Sequence, residues 1–72
     1  LHPFNGRDHL KDAIAEAADQ SVYLCNELER ARRSPTVEPN YVSKVSTAFQ
    51  SSVQLFVGLC GLLAERERAR VW

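Results

Sequence analysis

Apolar residues recur every three or four positions through the first half of the chain. The series is Leu10, Ile14, Ala17, Leu24, Leu28 and Ala31, with Ser21 as a small polar interruption. This spacing places the side chains along one side of an α-helix. A flanking row of Ala18, Val22 and Cys25 widens the apolar stripe. The pattern predicts a helix over about 6–33, with Asn5 suited to cap its amino end.

The second half of the chain repeats the same spacing. Its series is Val42, Val45, Phe49, Ser52, Phe56, Leu59 and Leu63, and it predicts a second helix over about 40–70. Between Val53 and Ala64, however, apolar residues occupy the other sides of the helix as well. A helix that is apolar on all sides must be covered on all sides, and one neighbouring helix covers only part of its circumference.

Two prolines separate the predicted helices. Pro35 ends the first helix because its ring cannot continue the hydrogen-bond ladder, and Pro39 suits the first turn of the second. A turn of about 34–39 is short enough to place the helices side by side and antiparallel. The predicted fold is all-α, an antiparallel helical hairpin that forms one domain over residues 1–72.

Because a lone hairpin leaves the second helix partly uncovered, we predict that two hairpins pair into a dimeric four-helix bundle. The predicted core is Leu10, Ile14, Ala17, Leu24, Leu28, Val45, Phe49, Val53, Phe56, Leu59, Cys60 and Leu63. The predicted association interface is Leu24, Leu28, Val45, Phe49, Val53, Leu55, Phe56, Leu59, Leu62 and Leu63. Phe56 and Leu59 are expected at its centre.

Two further patterns bear on packing. Gly58 and Gly61 lie inside the second helix, where each glycine costs about 1 kcal/mol relative to alanine, so we expect another helix to approach closely there. Acidic residues occupy the start of the first helix, and in an antiparallel hairpin they face the basic end of the second. The acidic row is Asp8, Asp12, Glu16 and Asp19, and the expected partners are Arg66 and Arg70.

The overall charge argues against a general affinity for nucleic acid. Nine acidic residues balance nine basic residues, so the chain has no net positive potential to attract phosphates. One local basic patch is expected near the turn, formed by Arg30, Arg32, Arg33 and Lys44. A nucleic-acid-binding hairpin dimer that uses this basic end therefore stays open as an alternative.

Catalysis is disfavoured by what the chain contains. The only histidines are His2 and His9, no glycine-rich phosphate loop is present, and neither cysteine has a histidine at helical spacing. Cys25 and Cys60 are expected about 18 Å apart in a hairpin, too far for a disulfide, so we predict reduced, buried thiols in an intracellular protein. The sequence predicts no enzyme, cofactor or metal.

Membrane crossing is also disfavoured by the sequence. The longest apolar run, Val53 to Ala64, is interrupted by Gln54 and spans about twelve residues, against about twenty for a bilayer span. The remaining hypothesis is a dimerisation or assembly domain of a larger intracellular protein. An alternative keeps the fold but docks an amphipathic helix of a different protein around Leu55, Leu59 and Leu62.

Overall fold

The computed structural model describes residues 8–70, apart from the side chain of Arg70. Helix α1 spans His9–Arg33 and helix α2 spans Pro39–Arg70. The helices pack against each other and run antiparallel, because Asp8 at the start of α1 contacts Arg66 near the end of α2. No strand occurs within residues 8–70. The predicted helical hairpin is therefore confirmed.

Asp8 caps the amino end of α1. Its carboxylate accepts a hydrogen bond from the backbone N–H of Lys11 at 3.1 Å, and its carbonyl accepts from the N–H of Asp12 at 3.0 Å. A capping side chain satisfies one of the backbone donors that a helix start leaves unpaired. Asn5, the cap expected from the sequence, lies outside the described residues.

Residues 34–38 connect the helices. The N–H of Ser34 donates to the carbonyl of Ala31 at 3.3 Å and ends α1, and the N–H of Val37 donates to the carbonyl of Ser34 at 3.4 Å. Pro39 then opens α2, at the position where the missing N–H of proline costs nothing. The connection lies within the predicted turn, which fits the roles assigned to both prolines.

The most deeply buried residues of the contact between the helices are small: Ala31, Ala17 and Ser52. The buried residues are Ala17, Leu28, Ala31, Val45 and Ser52. Other members of the predicted core are half-buried: Leu10, Ile14, Leu24, Phe49, Phe56, Leu59, Cys60 and Leu63. Val53, which the sequence also places in the association interface, is 38% exposed in the single hairpin. Val53 follows Ser52 by one residue, so the helix turns it away from α1, and Ser52 occupies the core position instead.

The hairpin is long and thin. Its principal extents are 55 × 24 × 14 Å and its radius of gyration is 16.8 Å, whereas a compact domain of this length has a radius of gyration of about 11 Å. The accessible surface is 5792 Å², against about 4,500 Å² for a compact monomer of the same mass. The excess surface is a direct result of having one layer of helices.

Candidate association surfaces

A pair of serines fixes the register of α1 against α2. The hydroxyls of Ser21 and Ser52 lie 2.8 Å apart, and the Ser21 hydroxyl also donates to the carbonyl of Ala17 at 2.9 Å. Because a hydroxyl carries one proton, Ser52 donates and Ser21 accepts in the contact between the helices. The bond places these two residues at the same height along the hairpin, which defines the level of every other residue.

One broad side of the hairpin carries an open groove, here called the leucine groove. It consists of two adjoining parts with volumes of about 580 and 350 Å³. Leu55 contributes to both parts and is 53% exposed. The remaining lining residues are Ala13, Glu16, Ala17, Asp19, Gln20, Tyr23 and Leu24 of α1, with Ala48, Ser51, Ser52 and Leu59 of α2.

The opposite broad side carries a second apolar surface, here called the valine face. Residues one position before a member of the contact series line the leucine groove, as Gln20 does before Ser21 and Ser51 before Ser52. Residues that follow the contact positions on both helices therefore lie on the other side. The valine face comprises Ala18, Val22 and Cys25 of α1, with Val53, Val57 and Cys60 of α2. Val22 and Val57 are 57% and 62% exposed.

The residues expected to form an association interface divide between the contact of the two helices and the open surfaces. Leu28 and Val45 are buried between α1 and α2 of the same chain, and Leu24, Phe49, Phe56, Leu59 and Leu63 are half-buried. Val53, Leu55 and Leu62 are exposed. Tyr23 and Val57 are not in the predicted association interface, yet they are among the most exposed large apolar side chains. Their position beside the apolar series, rather than within it, was the available signal.

The two glycines of α2 do not serve the contact with α1. A Cβ atom added at Gly58 or Gly61 would meet no atom within 4 Å. Within the hairpin, the expected close approach of another helix at these glycines is therefore wrong. Both residues lie on the side of α2 that faces away from α1, because neither belongs to the series that contacts it.

An ion pair joins the two helices at the end that carries both termini. The Arg66 guanidinium donates to both carboxylate oxygens of Asp8, at 3.0 and 2.7 Å. This hydrogen bonding, together with the bond from the Lys11 backbone, holds the pKa of Asp8 well below its ordinary value. The predicted pairing of the acidic start of α1 with the basic end of α2 is confirmed for Asp8 and Arg66. The side chain of Arg70 lies outside the described residues.

A second polar cluster lies at the turn end and centres on Glu27. Both of its carboxylate oxygens accept from Arg30, at 2.8 and 2.7 Å, and the Tyr41 hydroxyl of α2 also donates to it. These bonds lower the pKa of Glu27 to about 2, the Arg30 bond contributing most, and they raise the pKa of Tyr41. Glu27 thus offsets the charge of Arg30, and all four residues of the predicted basic patch, Arg30, Arg32, Arg33 and Lys44, are exposed.

The remaining side chains considered as candidates for reactivity or metal binding are the two cysteines and the acidic residues. Cys25 and Cys60 are free thiols, and Cys25 is exposed, so its predicted burial was wrong. It lies beside the contact series rather than within it, which leaves it at the edge of the interface. Among residues 8–70, no group of three or more histidine, cysteine, aspartate or glutamate side chains is arranged to hold a metal ion.

The length and composition of α2 bear on the membrane prediction. Pro39–Ala69 is long and apolar enough to cross a bilayer, and only 6% of its apolar window is buried in the hairpin. The run from Val53 to Ala64 alone is too short to span a bilayer, but a window that also includes the neighbouring serine, threonine and glutamine residues is long enough. A core helix of a soluble protein can meet the same criterion, but such a helix is mostly buried, whereas this window is exposed.

Comparison with known protein families, with curated protein sequences and with solved structures gave no match.

Proposed function

We propose that this hairpin is a non-catalytic association module that pairs with a second copy of itself. The carrying observation is its accessible surface of 5792 Å², about 1,300 Å² more than a compact chain of this mass exposes. A stable protein interface removes about 800 Å² from each partner. Pairing of two hairpins therefore covers an area of the required size and creates a second layer of helices.

The exposed area is also of the right chemical kind. The large apolar side chains that stand in solvent are Val22, Tyr23, Tyr41, Val53, Leu55, Val57 and Leu62. Burial of apolar surface contributes about 25 cal/mol per Å², and exposed apolar surfaces mark interaction sites in soluble proteins. The small contact between α1 and α2 buries few large side chains, so association supplies stability that the single hairpin lacks.

Sedimentation equilibrium from about 1 to 100 µM tests the proposal, with circular dichroism recorded over the same dilution series. We expect a dimer whose helicity falls together with its dissociation. A helical monomer at every concentration overturns self-association. If that monomer binds an amphipathic helix from another protein, the adaptor hypothesis replaces it.

A second candidate function is insertion of α2 into a lipid bilayer, which the length and exposure of Pro39–Ala69 favour. The polar contacts of the hairpin argue against it. Insertion of α2 alone strips away the Ser21–Ser52 bond, and the Asp8–Arg66 pair must remain at the membrane surface. Flotation with neutral phosphatidylcholine vesicles separates the two candidates, because an association module stays in the unbound fraction and an inserted α2 floats with lipid.

A further inference from the structure

On α1 the valine face extends into a stripe of residues whose spacing is the same in either direction along the helix. The stripe is Lys11, Ala15, Ala18, Val22, Cys25 and Glu29, and successive members are alternately four and three residues apart. Ala18 is half-buried and the others are exposed. Reversal of the stripe about position 20 brings each member onto another member. Lys11 then coincides with Glu29, Ala15 with Cys25, and Ala18 with Val22.

A matching stripe runs along the same side of α2. It consists of Val42, Ser46, Val53, Val57, Cys60 and Ala64. Reversal about Val53 brings Val42 onto Ala64 and Ser46 onto Cys60, whereas Val57 coincides with Phe49, a half-buried residue outside the stripe. The Ser21–Ser52 bond places Gln20 at the level of Val53, so both stripes share one centre. A surface that coincides with its own reverse is what a two-fold symmetric interface requires.

We propose that two copies pack valine face to valine face with their long axes antiparallel, around a two-fold axis beside Val53. This inference rests on the proposed self-association and specifies its surface and direction. In this arrangement α1 lies on α1 of the second copy and α2 on α2. Most of the facing side chains are small, so the helices approach closely. Most of the leucine groove stays on the outside of the dimer.

The charges at the ends of the α1 stripe select the antiparallel direction. Lys11 and Glu29 are both exposed, and the charge of Lys11 also helps to lower the pKa of the neighbouring Asp8 carboxyl. The antiparallel dimer places Lys11 beside Glu29 of the second copy, twice by symmetry. A face-to-face dimer with parallel axes places α1 against α2 of the second copy instead, so Lys11 no longer lies beside Glu29. The valine face has no charge between these two residues, whereas Glu16 and Asp19 line the leucine groove.

Cysteine trapping tests the face and the direction. Val53→Cys is made in a chain that also carries Cys25→Ser and Cys60→Ser, and Leu55→Cys in the same background is the matched control on the groove. We expect oxidation to link the Val53→Cys chain into a covalent dimer and to leave the control monomeric. A second probe is Ala15→Cys with Cys60→Ser, whose new thiol is expected to link to Cys25 of the second copy.

Charge exchange supplies an independent measurement by sedimentation. Lys11→Glu alone or Glu29→Lys alone replaces two attractive pairs with two repulsive ones and is expected to raise the dimer Kd about tenfold. The double exchange restores the original pairing and the original Kd. Glu16→Lys changes the charge of the groove side and is expected to leave the Kd unchanged.

The outcomes separate this inference from the proposed function. A dimer in sedimentation that is trapped through Leu55→Cys but not Val53→Cys overturns the valine face and keeps self-association. Single exchanges without effect overturn the antiparallel pairing of Lys11 with Glu29. A monomer in every experiment overturns self-association itself, and with it this arrangement.

Discussion

Asp8 and Arg66 lie at opposite ends of the sequence, and their side chains meet through two hydrogen bonds of 3.0 and 2.7 Å. Asp8 also caps α1 through the Lys11 backbone. One carboxylate therefore caps the start of α1 and joins α1 to α2. Because both groups stand at the surface, the pair fixes the register of the helices more than it stabilises them.

The two roles of Asp8 are separable by substitution. Asp8→Ala removes the cap and the pair, and we expect its melting temperature to fall by about 5 °C. Asp8→Ser keeps a capping oxygen but loses the charge, so its melting temperature should lie between those of Asp8→Ala and the unchanged chain. Arg66→Gln should resemble Asp8→Ser. Thermal unfolding followed by circular dichroism checks the series, and equal losses for Ala and Ser would show that the cap contributes nothing.

Acid should destabilise the hairpin through Asp8 and Glu27. Both pKa values are lowered by folding, that of Glu27 from 4.5 to about 2. A group with a lowered pKa stabilises the fold above its unfolded pKa, and this contribution is lost as pH falls through the folded value. We expect the melting temperature to decline from about pH 5 towards pH 2. The variant with Asp8→Asn and Glu27→Gln should show a flatter profile, and an equally steep decline in it would exclude these carboxylates as the cause.

The Ser21–Ser52 pair predicts a non-additive mutant cycle. Ser21→Ala leaves the buried Ser52 hydroxyl without its acceptor across the interface, at a cost of about 1 kcal/mol. With Ser52→Ala added, no hydroxyl remains to be satisfied, and we expect the free energy of unfolding to return towards the original value. Urea unfolding of the four chains measures the coupling. Strict additivity would mean that the contact contributes no net free energy.

Gly58 and Gly61 should accept alanine. An added Cβ atom meets nothing within 4 Å at either site, and alanine is favoured over glycine inside a helix by about 1 kcal/mol. We expect Gly58→Ala and Gly61→Ala each to raise the free energy of unfolding by about that amount, with no change in the dimer Kd. A weaker dimer would place a partner helix against this side of α2.

The sequence was sufficient for the features that local chemistry decides. Pro35 and Pro39 located the turn, the alternation of three and four spacings located both helices, and the opposed charges of Asp8 and Arg66 identified the register. Features that depend on the direction of a side chain around its helix were harder to predict from the sequence. The spacing placed Ser52 in the contact series, but Val53 lies one position further on, at the start of a stretch with apolar residues on all sides, where spacing alone does not exclude it from the core.

The residues that stand on the two open sides were harder to predict for the same reason. Val22 and Cys25 lie beside the contact series of α1. Whether α2 covers them depends on the distance and angle between the two helices. Small residues such as Ala17 and Ala31 bring the two helices together without providing much cover. The geometry of that contact, and so the extent of the two open sides, emerges only when both helices are placed in space.

The 14 Å thickness of the hairpin has a consequence for how it tolerates change. Within residues 8–70, no large side chain is withdrawn completely from water, so a truncation between α1 and α2 opens towards solvent instead of leaving a sealed void. In most proteins the residues that tolerate substitution least lie in the interior. In this hairpin we expect them on the two broad sides instead. A saturation mutagenesis screen for dimer formation should therefore find that the positions least tolerant of substitution are residues exposed to solvent in the single chain.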